Sequence, residues 1–169
     1  SFFRPFSVGD LVNLPNENIV GTVEDITLRH VVIKTFENNR VIVPNSVINK
    51  AIIENRDFKD KHACRFLTIG IAYTANIDKA RAIMIDEALK HPLLSDYRTK
   101  KEIKDGVPQL KVIVSDLGNS SVQLRMTLWA KNSGDAFSLL ADLRESVKKR
   151  FDLEGIEIPY PYQNIIIKK

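Results

Sequence analysis

From Val8 onward the chain carries short runs of alternating apolar and polar residues, cut by turn chemistry. Val8 to Val12 predicts a strand, Pro15-Asn16-Glu17-Asn18 a turn, and Ile19 to Leu28 a second strand in which Gly21 marks a bulge or a close backbone approach. His30 to Phe36 is rich in β-branched residues, Asn38-Asn39 tolerates positive φ in a turn, and Arg40 to Val43 returns as a strand that Pro44-Asn45 stops. Four or five short strands within about 50 residues predict a small, strongly bent sheet of the SH3-like or Sm-like kind, with edges that one chain leaves unpaired.

The period changes after residue 64. Arg65 to Tyr73 alternates, with Leu67, Ile69, Ile71 and Tyr73 on one face, and Asn76 caps a predicted helix from Ile77 to about Lys90, which Pro92 limits. A Lys-rich polar stretch from Ser95 to Gly106 follows. Leu110, Val112 and Val114 alternate, Gly118-Asn119-Ser120 turns, and Val122, Leu124, Met126 and Leu128 alternate again, which is a hairpin. Ser133 is the predicted cap of a second helix, with Phe137, Leu140, Arg144, Val147 and Phe151 on its inner face and Gly155 closing it. A strand from Ile156 to Pro159 would complete β-α-β-β-α-β, the split-βαβ, ferredoxin-like order.

Pro159-Tyr160-Pro161 cannot continue a ladder, so Asn164 to Lys168 reads as a separate strand. Its isoleucines, Ile165, Ile166 and Ile167, imply burial on both faces. A lone strand of five residues is not stable in water. Both upstream sheets already have their strands, so the inferred partner is the same segment of sister chains; docking back on its own domain is the alternative.

The 169 residues allow one ordinary domain or two small ones, and 44% apolar with 27% charged residues marks a folded chain rather than a disordered one. The longest strictly aliphatic run is three residues, against the roughly 20 a bilayer demands, and no charged-then-apolar leader is expected. One cysteine, Cys64, forms no internal disulfide and fits a reducing compartment. Residues 1–56 carry six Lys/Arg against six Asp/Glu, and residues 57–169 carry 19 against 15, so the net +4 lies entirely in the second part. No basic stripe of the kind phosphate binding requires stands out.

The residues offer no catalytic constellation, and no cofactor or metal is expected. His30, His62 and His91 have neither metal-ligand spacing nor a cysteine pair beside them, and read as surface or interface residues. Gly118-Asn119-Ser120-Ser121 lacks the phosphate-loop pattern and lies between two strands. Cys64 has no base at motif spacing, and Ser133-Gly134-Asp135 is explained by helix capping and the helix dipole.

Several segments resemble, in order, the soluble cytoplasmic region of the small-conductance mechanosensitive channel (MscS) family. They are Arg4-Pro5-Phe6 with Val8-Gly9-Asp10, then Gly21 to Ile26, Val41 to Asn45, Gly70 to Tyr73 with Asn76 to Ala80, Trp129 with Asn132 to Asp135, and Phe151 with Gly155-Ile156 and Pro159-Tyr160-Pro161. The resemblance implies a homo-oligomer, a heptamer, without enzymatic activity. Residues 1–56 would form a β ring beneath the membrane, 57–160 the ferredoxin-like wall of a cage, and 161–169 the strand of an intersubunit parallel barrel in which Asn164, Ile165, Ile166 and Ile167 make the contacts. Closing a sheet removes its edges, which gives the orphan strand a partner.

By the same resemblance the region sits on the cytoplasmic side of the cell inner membrane, joined to transmembrane helices upstream, and passes ions and small osmolytes when membrane tension opens the pore. Phe3, Arg4 and Phe6 would lie at the junction with the pore helix; for Phe3 and Phe6, core packing of the β domain is the other option. Seven copies would carry 7 × 4 = +28, but at physiological salt fields decay over about 8 Å, so at most a mild anion preference is implied. The other reading of the chain is a soluble oligomeric two-domain protein that binds RNA or a small regulatory ligand. The balanced charge of residues 1–56 argues against RNA.

Overall fold

A computed structural model describes residues 4–169. The chain divides into two compact units, Ser1–His62 and Ala63–Lys169.

In the first unit, strands β1 (Leu11–Leu14), β2 (Ile19–Ile26), β3 (His30–Lys34), β4 (Arg40–Pro44) and β5 (Glu54–Asn55) form one antiparallel sheet in the order β4-β3-β2-β1-β5, with a short helix α1 (Asn45–Ile48) after β4. The first strand begins later than the alternation suggested. Gly9 adopts φ +97°, Asp10 bonds back to Ser7 through backbone and carboxylate, and Val8 stays exposed, so residues 7–10 form a turn. The expected turns at Pro15–Asn18 and Asn38-Asn39 are present, with Asn18 and Asn38 in the left-handed region. Gly21 is a point of close approach, since a Cβ there would stand 2.3 Å from the Lys34 carbonyl oxygen; the bulge in β2 falls instead between Val23 and Asp25. Phe6, Val12, Leu14, Val23, Val31, Ile33, Val43 and Ile48 make the core.

The second unit holds β6 (Ala63–Ile71), helix α2 (Ile77–Lys90), a short helix α3 (Lys100–Lys104), β7 (Val112–Leu117), β8 (Val122–Ala130) and helix α4 (Ser133–Glu154). Its three-stranded sheet has the order β6-β8-β7, so the third strand inserts between the first two, as the split-βαβ pattern requires. Both long helices pack on one face. Asn76 caps α2 by accepting the Lys79 N–H at 3.0 Å, as expected.

The structure departs from the sequence pattern at three places in this unit. The cap of α4 is Asn132, whose side chain accepts the Asp135 N–H at 2.8 Å; Ser133 is already inside the helix. The inner face of α4 is Ala136, Leu139, Leu143, Val147 and Phe151, while Phe137 is 74% exposed. Two helical phases share Val147 and Phe151, and the larger side chain at 137 favoured the wrong one. Residues 156–159 form no strand. Gly155 turns the chain at φ +75°, Ile156 is buried, and the segment reaches β6 only past its last paired residue, giving one ladder-like bond, Ala72 N–H to the Glu157 carbonyl at 2.9 Å. Pro159 and Pro161 prevent more.

Helix α3 lies within the Lys-rich polar stretch and carries a local signal of its own: Thr99 Oγ1 accepts the Glu102 N–H and Glu102 reaches back to the Thr99 N–H, a capping box written T-x-x-E.

Between α2 and α4, Asp86 pairs with Lys90 at 2.7 Å and with Arg150, which also holds Glu154 at 2.8 Å. The hydrogen bonds from Lys90 and Arg150 hold the Asp86 carboxyl below the usual range. A depressed carboxyl contributes stability above its unfolded value of about 3.9 and loses it as pH falls through the folded value. Asp86→Asn is therefore expected to flatten the loss of helix-pair stability below about pH 4, read as urea midpoint against pH; an unchanged profile would show that this cluster is screened out.

Candidate functional site

The tail is the candidate assembly site. Residues 157–169 contain neither helix nor strand, and Ile165, Ile166 and Ile167 are 79%, 86% and 86% exposed. Beyond Tyr162 the tail is exposed throughout and does not dock back on its own domain, so the burial that its isoleucines call for is unmet within one chain. Covering an aliphatic side chain of this size is worth about 1.5–3 kcal/mol, so three of them offer roughly 5–9 kcal/mol per tail before association costs. Asn164 precedes them, also exposed.

At the other end, Phe6 is 5% exposed and belongs to the β-unit core, while Arg4 is exposed; Phe3 lies outside the described residues. Arg4, Pro5 and Phe6 line a cavity of about 670 Å³ together with Leu28, Asn45 and Ile48. Asn45 donates its side-chain amide to the Leu28 carbonyl at 2.9 Å, and its own Oδ1 is buried without a partner. Across β3, Arg40 on β4 clasps Glu24 on β2 through two bonds of 2.9 Å, which lowers the Glu24 pKa and raises that of Arg40.

His62 Nδ1 lies 2.8 Å from Asp60. His91 Nδ1 accepts the Leu93 N–H at 3.1 Å, which places its proton on Nε2, 2.8 Å from Asp142 on α4. Cys64 opens β6, half-buried, and burial pushes its thiol pKa up, away from the reactive thiolate. Among the described residues no group of three or more His, Cys, Asp or Glu is placed to hold a metal ion, and no helix is long and apolar enough to cross a membrane. The Gly118–Ser121 turn closes on a Gly118 N–H to Ser121 carbonyl bond of 2.8 Å.

Two sequence models of one family match the chain in succession: the mechanosensitive ion channel beta-domain over residues 1–57, and the mechanosensitive ion channel MscS C-terminal domain over residues 67–158. The chain belongs to the MscS family of mechanosensitive ion channels. MscS-family channels are membrane proteins, and channels are not enzymes. The small-conductance mechanosensitive channel MscMJ of Methanocaldococcus jannaschii is 28% identical, covering 98% of this chain and 45% of that protein. The small-conductance mechanosensitive channel of Edwardsiella ictaluri is 28% identical over 96% of this chain and 52% of that protein. The chain thus spans about half the length of these MscS relatives.

The crystal structure of Helicobacter pylori MscS in its closed state shares the fold, with a TM-score of 0.80 at 21% identity over 98% of this chain and 60% of that one. The order of a small β domain followed by an α+β domain is that of the family. Nothing in these likenesses supports a soluble RNA- or ligand-binding protein.

Proposed function

We propose that this chain is the vestibule region of a tension-gated channel that releases ions and small osmolytes during hypo-osmotic shock. The observation that carries the reading is the succession, in one chain, of the family's β domain and its C-terminal domain. The vestibule is a homo-oligomer, read here as seven copies. Residues 1–56 form a ring beneath the membrane, 57–160 the cage wall, and 161–169 a barrel strand in which Asn164, Ile165, Ile166 and Ile167 pair with their counterparts. Such head-to-tail contacts close by rotation without a twofold interface. The region lies on the cytoplasmic side of the cell inner membrane, with Phe3 and Arg4 at its junction with the pore helix and Phe6 packed in the core of the β unit beside them.

The test is survival. Cells lacking their own channels and expressing the full-length protein are expected to survive abrupt dilution out of high salt; death at the rate of the channel-deficient parent, with membrane expression verified, would overturn the reading.

A further inference from the structure

The β7–β8 turn meets the start of the tail. Tyr162 donates its backbone N–H to Ser120 Oγ at 3.1 Å and its phenol to Glu157 Oε1 at 2.5 Å. Glu157 is itself held by the Ala72 N–H at the end of β6. The turn carrying Ser120 is closed from within by the Gly118–Ser121 backbone bond and braced from outside by Tyr73, whose hydroxyl donates to the Gly118 carbonyl. Gln123 Nε2 donates to Ser121 Oγ at 2.6 Å. Three stretches remote in sequence, at 72–73, 118–121 and 157–162, are therefore tied by polar bonds around the point where the chain leaves the domain. The bond to Glu157 raises the Tyr162 pKa above its ordinary value, so the donor stays protonated well past neutrality.

We propose that the Gly118–Ser121 turn is a bracket that fixes the launch point of the tail, with Ser120, Glu157 and Tyr162 as positioning residues for its assembly with sister copies. The proposal rests on the reading that Asn164–Lys168 pairs between chains. Its physical content is tether length. Ile166 lies four residues beyond Tyr162 but nine beyond Glu157, the next anchor back. Effective concentration falls as roughly the −3/2 power of tether length, so once a first contact holds copies together, pinning at Tyr162 raises it about threefold for each further tail that joins. Pro159 and Pro161 stiffen the intervening stretch, which keeps the bracket from closing at random.

The experiment compares the unaltered chain with Ser120→Ala, Tyr162→Phe, their combination, and a deletion of residues 164–169, by sedimentation across a dilution series. A spin label at position 163, introduced as Gln163→Cys in a Cys64→Ser background, reports tail mobility. The combined variant is expected to dissociate at a concentration about tenfold higher, compounding the threefold factor over two tails, and to free the label. Ser120→Thr and Glu157→Gln keep the acceptor oxygens and are expected to behave as the unaltered chain. If the deletion abolishes assembly while the combined variant keeps the original midpoint and a still label, the bracket is overturned and the pairing of tails stands. If the deletion leaves assembly unchanged, both are overturned.

Discussion

Replacing Ile165, Ile166 and Ile167 together with serine is expected to shift the chain from an oligomer to a monomer at micromolar concentration, read as mass by light scattering. The three side chains are about four-fifths exposed in the single chain, so substitution removes nothing from the monomer's core and its unfolding midpoint should stay where it was. What it removes is the roughly 5–9 kcal/mol that covering the tail supplies for each copy, several powers of ten in an association constant even after ordering costs. A single Ile166→Ser should give a graded loss of about 2 kcal/mol per copy. An unaltered mass in the triple variant would mean that the copies are held elsewhere and the tail is only a solvated extension. The control is Phe137→Ser, which removes an equally exposed apolar side chain on α4 and should leave the mass unchanged.

How much of this was legible in the residues depends on whether the signal was local. The helix from Ile77 to Lys90 follows from one capping asparagine, an apolar period and a proline, all within about 16 residues, and it stands where expected. The turns at Asn18 and Asn38 were legible because few side chains tolerate that backbone. The face of α4 was not, because Phe137 and Ala136 offer two phases that only the sheet beneath can separate. The fourth strand failed for a related reason: Ile156 is buried as its neighbours suggested, but whether a buried residue lies in a ladder depends on where β6 ends. In the tail, the three isoleucines announced unmet burial without help, whereas the contacts of Tyr162 with Ser120 and Glu157 carry no sequence mark. Ser120 sits 42 residues away, in a turn whose Gly-Asn-Ser composition says only that it turns.

Two glycines in strands separate backbone crowding from side-chain crowding. A Cβ at Gly21 would stand 2.3 Å from the Lys34 carbonyl oxygen and 2.8 Å from Ile33 Cγ2. Neither neighbour has room to retreat: β3 is held between β2 and β4 on both ladders, and Ile33 is fully buried. A Cβ at Gly70 would meet Gln123 Nε2 at 2.7 Å and Ser121 Oγ at 2.9 Å, side-chain ends that can turn away for the loss of the bond between them, and Ser121 Cβ at 3.1 Å, which has to give by only a few tenths of an ångström. Gly21→Ala is therefore expected to cost about 3 kcal/mol, a large share of what a sheet this small has in total, and Gly70→Ala about 1 kcal/mol or less. Hydrogen exchange resolved by segment checks both. Amides of residues 19–34 should exchange about a hundredfold faster in the first variant, while amides of residues 63–71 in the second should change by less than tenfold. Equal effects at the two positions would mean that β3 can shift after all, and that the close packing of β2 on β3 is not what keeps residue 21 free of a side chain.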